Sequence, residues 1–146
     1  MILKTIILVG ENFIDNYMHH KLLESMNIAN KILEFSNPPE VIDYLKIMHE
    51  LNDVEIKTST DLIIFDTNSK MDVWGFIECL KGIYSNHKHY TKIIIVSKTL
   101  NKKEIERLKS EQLVAGFINS SLNRDTILNC FKSIPELRHF YEVKEI

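Results

Sequence analysis

The chain has 146 residues, 45% of them hydrophobic and 26% charged, with a formal net charge of −2 at pH 7. This suits one globular domain with a substantial core, and it speaks against the basic face that a nucleic-acid partner requires. No apolar stretch approaches the ~20 residues of a membrane-spanning helix, so no membrane association is expected.

The opening, Met1-Ile2-Leu3-Lys4, lacks the apolar core and cleavage site of an export signal, which points to the cytoplasm. Cys79 and Cys130 stand alone inside predicted helices and read as reduced core thiols. The first predicted strand is Thr5–Val9, and its apolar run ends in Gly10-Glu11. A helix follows in which Ile14, Met18, Leu22 and Met26 recur every four residues as one stripe. After a strand at Lys31–Phe35, Asn37 is the expected N-cap of a second helix, with Pro38 in its first turn. That helix places Val41, Leu45 and Met48 on one face, and the polar stretch Glu50–Thr60 reads as a long loop.

The third strand, Leu62–Phe65, is apolar throughout, as a strand covered on both faces should be, and it ends at Asp66. A third helix carries Val73, Phe76, Ile77 and Leu80 at helical spacing. Strand Lys92–Val96 leads to a short charged helix, Lys102–Leu108, with only Ile105 and Leu108 facing inward. Its run Lys102–Arg107 is a solvated face. The last strand, Val114–Ile118, precedes a fifth helix that starts after Asn123 and repeats Ile127, Cys130, Phe131 and Ile134. Pro135 should end or kink it. The tail Glu136–Ile146 reads as a further helical turn or a contact surface, so residues 1–135 are expected to form the domain and 136–146 its extension.

Strands alternating with helices predict βαβ units and an α/β fold, a doubly wound parallel sheet with helices on both faces. Ligands in such folds bind outside the carboxyl ends of the strands. Asp66 and Glu11 both end apolar strands, and on neighbouring strands they would converge there, to hold a cation or accept a phosphoryl group. The histidines of His19-His20, and His87 with His89, lack the geometry of a ligand set and read as surface residues.

Several segments carry a resemblance in their order and spacing. They are Ile7-Leu8-Val9-Gly10-Glu11-Asn12-Phe13-Ile14-Asp15-Asn16, Leu33-Glu34-Phe35-Ser36-Asn37, Leu62-Ile63-Ile64-Phe65-Asp66, Met71-Asp72-Val73-Trp74-Gly75-Phe76 and Gly116-Phe117-Ile118. Over nearly its whole length the chain resembles the receiver domain of two-component response regulators, of the stand-alone, chemotaxis-regulator-like kind. The resemblance implies a flavodoxin-like, three-layer sandwich with five strands in the order 2-1-3-4-5. It implies Asp66 as phosphoacceptor and Ser97 as the switch hydroxyl, with Phe117 the aromatic that changes rotamer with it. Mg2+ would be held by Glu11, Asp66 and the backbone carbonyl of Asn68. Trp74 is expected to pack beside the third helix.

The chain departs from the pattern at four places. Gly10 replaces the first aspartate of the acid pair and Glu11 the second. Ser120 stands for the lysine and Ser121 for the proline after it. Lys98 sits beside Ser97 where a small residue is usual. The loop after Asp66 is one residue short, lacks its proline and has Val73 for a glycine.

The implied function is phosphorelay signalling through protein contacts, by a non-enzymatic single-domain receiver. The implied partners are a histidine kinase or phosphotransfer protein and a downstream protein target, with a homodimer as a further option. A pseudo-receiver that works without phosphorylation is the alternative. A small phosphatase with an Asp nucleophile, of the haloacid dehalogenase type, needs a second Asp two residues on, where this chain has Asn68.

Overall fold

The computed structural model describes residues 2–51, 60–67, 72–84 and 91–144. Strands β1 (Leu3–Val9), β2 (Ala29–Phe35), β3 (Leu62–Asp66), β4 (Lys92–Val96) and β5 (Val114–Ile118) form one parallel sheet. Its order is β2-β1-β3-β4-β5, as expected. The strands β1 and β2 start two residues earlier than their hydropathy suggests, because Leu3 pairs with Ala29.

Alternation along the strands assigns side chains to two cores. Ile6, Leu8, Leu62, Ile64, Ile94 and Val96 face helices α1 (Phe13–Met26) and α5 (Arg124–Lys132). Ile7, Val9, Ile63, Phe65, Ile93 and Ile95 face α2 (Pro38–Leu51), α3 (Val73–Tyr84) and α4 (Lys102–Lys109). Both faces of the central strands are therefore dry, which is why they read as unbroken apolar runs.

The helices α2, α3 and α5 bury the predicted faces, including Val41 and Leu45, Phe76 and Leu80, Ile127 and Phe131. Asn37 caps α2 by accepting a hydrogen bond from the Glu40 amide at 3.0 Å. Asn101 with Glu104 and Asn123 with Thr126 form reciprocal caps that start α4 and α5.

Helix α1 departs from the expected stripe. Ile14 and Met18 are 64% and 60% exposed, whereas Asn16 and Leu23 are buried. The amide of Asn16 turns this helix, because it is hydrogen-bonded beneath the end of β1. Leu22 and Met26 still pack against the core. The expectation of two core thiols holds only for Cys130; both cysteines are free, and Cys79 is exposed. Burial pushes the Cys130 thiol up to about 11, against a hydrogen bond from the Phe117 backbone.

The tail continues the fold. After α5 a 3₁₀ turn (Pro135–Leu137) leads into α6 (Arg138–Lys144), and Leu137 is buried while Phe140 and Tyr141 pack on the α1–α5 core. Phe140 lies 5.8 Å from Phe131 between ring centres. The loop expected at Glu50–Thr60 begins inside α2, which runs to Leu51, and residues 52–59 lie outside the described ones.

Candidate functional site

Asp66 is the last residue of β3, paired with Val96 of β4 and half-buried. Val9 pairs with Phe65, so Gly10 and Glu11 leave β1 alongside it at the carboxyl edge of the sheet. The topology therefore brings the ends of β1 and β3 together as the sequence predicts.

The side chains around Asp66 were harder to foresee. A cleft of about 420 Å³ opens beside it, lined on one side by Asp15, Met18, His19 and Leu22 of α1. Lys98 and Val96 line it from β4 and the loop after it, and Ser121, Leu122 and Asn123 from the approach to α5. Glu11 is exposed and is not among the lining residues, nor is Ser97. Asn68 lies outside the described residues, as do His87 and His89.

Asn16 explains what became of the first acid position. Its buried side-chain amide donates to the carbonyls of Gly10 at 2.7 Å and Phe35 at 3.1 Å. The Phe35 carbonyl also accepts from the Gly10 amide at 3.1 Å. One side chain thus ties together the ends of β1, β2 and α1. A Cβ on residue 10 would stand 2.5 Å from Asn16 Oδ1, so an aspartate there has no room unless Asn16 moves. The sequence reading missed Asn16, which lies in the first turn of α1, where a polar residue gives no signal of burial.

Ser97 is buried, and its hydroxyl is engaged locally. Its Oγ accepts from the amides of Thr99 at 3.1 Å and Leu100 at 3.2 Å, and lies 3.3 Å from Thr99 Oγ1. It thereby shapes the turn into α4. Phe117, the aromatic associated with it, is half-buried against the α2–α4 core.

The adjacent histidines are half-buried. His20 Nδ1 is 2.7 Å from Glu34 Oε2 and its Nε2 is 3.5 Å from Glu24 Oε2, bridging α1 to β2. His19 faces the cleft. Burial lowers its pKa, against the opposing pull of the Asp66 and Asp15 charges.

Mg2+ was expected on Glu11, Asp66 and the Asn68 carbonyl. Among the described residues, no three His, Cys, Asp or Glu side chains come close enough together to hold a metal ion. Magnesium demands near-ideal octahedral geometry from hard oxygen donors. Gly10 brings no carboxylate, the Asn16 amide fills its space, and Glu11 lies outside the cleft that Asp66 lines, so the described side chains of the expected set do not fit that ion.

The same architecture occurs in solved structures. One is a two-component response regulator from Cytophaga hutchinsonii, with a TM-score of 0.73 at 12% identity, covering 93% of this chain and 99% of that one. The fold is that of a receiver domain. A second receiver, from a histidine kinase of Arabidopsis thaliana complexed with Mg2+ and BeF3−, matches with a TM-score of 0.74 at 20% identity, over 91% and 90% of the two chains. The chemotaxis response regulator CheY4 of Vibrio cholerae matches at 0.63 and 16% identity, over 89% and 97%. No protein-family model and no curated protein matches the sequence. At these identities the receiver likeness establishes the fold, and the chemistry has to be argued from the residues. No helix among the described residues is long and apolar enough to cross a membrane.

Proposed function

We propose that this chain acts as a receiver in phosphorelay signalling, with Asp66 as its phosphoacceptor. The observation that carries the reading is the position of Asp66, at the carboxyl end of the central strand β3 and on the wall of an open cleft. A carboxylate there can attack a phosphoryl group in line, provided the charge on the transferred oxygens is met. The role is signalling by protein contact rather than turnover of a substrate.

The first turns of α1 support a docking face beside that cleft. Phe13 is 80% exposed and Tyr17 52%, next to the exposed Ile14 and Met18, and Met18 also lines the cleft. Clustered exposed apolar side chains on a helix favour a partner surface. A histidine kinase or phosphotransfer protein bound there would bring its phosphoryl group to Asp66.

The alternative, a receiver that works without phosphorylation, draws on Ser97. Its hydroxyl already serves two backbone amides, so it would have to leave both to reach a phosphoryl group on Asp66. Acetyl phosphate separates the two readings. The phosphoacceptor reading expects the wild-type chain to gain one phosphoryl group by intact mass and Asp66→Asn to gain none. If wild type stays unmodified where a standard receiver responds, the phosphorylation-independent reading stands.

A further inference from the structure

We propose that the Asp66 site accepts its phosphoryl group without a divalent cation, Lys98 supplying the positive charge in place of metal and of the missing lysine. The inference rests on Asp66 being the acceptor.

Three observations lead to it. Of the expected metal ligands, Glu11 lies outside the cleft that Asp66 lines, and the room for an acid at position 10 holds the Asn16 amide, which is committed to two carbonyls. Ser120, at the lysine position, is exposed and lies outside the cleft lining, whereas its neighbour Ser121 lines it. Lys98 lines the same cleft as Asp66, and it is the one Lys or Arg among the described lining residues.

Charge balance favours a cation in this cleft. Asp15 and Asp66 both face the cleft, so an incoming phosphoryl dianion meets two carboxylates. Phosphoryl transfer depends on neutralising the equatorial oxygens, which a fixed cation in a partly enclosed cleft achieves. Lys98 lies two residues past Val96, the last residue of β4 and the partner of Asp66, and the amide of the intervening Ser97 donates to the Ile118 carbonyl at 3.0 Å, so the sheet sets where Lys98 emerges. Ser121 and Asn123 add polar groups on the opposite wall. With phosphoramidate as donor, a bond forms between Asp66 Oδ and phosphorus as the P–N bond breaks. The leaving nitrogen takes its electron pair and departs as ammonia with a proton from solvent.

The whole chain is incubated with phosphoramidate, once with Mg2+ and once with EDTA, and the product is read by intact mass and peptide mapping. Wild type is expected to be labelled on Asp66 at similar rates in both, and Asp66→Asn to remain unlabelled. Lys98→Gln should slow labelling in EDTA by about 100-fold, and Lys98→Arg should restore most of it. Lys98 is exposed, so the melting temperature of Lys98→Gln should match wild type. Labelling that needs Mg2+, or that Lys98→Gln leaves unchanged, overturns the inference and leaves Asp66 as acceptor. No labelling in either condition, where a standard receiver is labelled, overturns the acceptor reading as well.

Discussion

Asn16 and Gly10 constrain each other at the end of β1. Asn16 satisfies two carbonyls at the ends of β1 and β2, and it can do so only because residue 10 has no side chain. Returning an aspartate to position 10 is therefore not a simple repair. Gly10→Asp should destabilise the fold by about 1–3 kcal/mol, since it displaces a buried amide and orphans its acceptors. Adding Asn16→Gly should recover part of that loss by making room. Urea titration of the two single variants and the double variant gives the coupling, and strictly additive effects would count against the steric link. Gly116 shows the same economy on the same face of the sheet. A Cβ there would lie 2.6 Å from Cys130 Sγ, so α5 packs directly onto the β5 backbone.

At the level of elements, α4 and α6 depend on their neighbours to different degrees. The capping box of α4 is intact, but the helix buries little beyond Leu108. Its other anchors are Arg107 stacked 4.0 Å from the Trp74 ring of α3, and Lys81 of α3 bonded 2.6 Å from Glu111 just past its end. Hydrogen bonding to Glu111 is the main reason the Lys81 pKa is raised, though the exposed ammonium contributes little to stability. Helix α6 is held by burial instead. Leu137 is 3% exposed at its entrance and belongs to the same core as Ile6 and Phe131. Leu137→Ala should cost about 2–5 kcal/mol, the usual range for a large-to-small change in a packed core. A thermal melt decides between the two descriptions of the tail: an unchanged midpoint would make it an appendage rather than part of the domain.

For the molecule as a whole, the half-buried His19 gives stability a dependence on pH. Burial lowers its pKa in the folded state below the ordinary 6.5, so the unfolded chain binds a proton that the folded chain resists. Stability contributed by keeping this ring neutral is present above about pH 6.5 and is lost as pH falls from there through the lower, folded value. The urea midpoint of wild type should fall across that window, and His19→Gln should flatten the fall. An equal slope in both proteins would place the titration elsewhere. The asymmetry fits a histidine on the cleft wall between Asp15 and Asp66, where burial outweighs both carboxylates.

The sequence by itself determined the sheet. Runs such as Leu62–Phe65 and Lys92–Val96 admit little except strands buried on both faces, and the helical periods between them leave few topologies for parallel strands. It also put Asp66 at the carboxyl edge, because a strand's end follows from where its apolar run stops. Only the tertiary structure decided the surroundings of Asp66. The rotation of α1 depends on a single buried amide whose acceptors lie on two strands, and no period in the sequence records that. The cleft joins Asp15, Lys98 and Ser121, residues far apart in the chain that meet only once α1, β4 and the approach to α5 are packed. In the strands, hydropathy fixes which residues are covered, since burial there is local and periodic. Which charges face one another is set by contacts between distant elements, and those exist only in the folded chain.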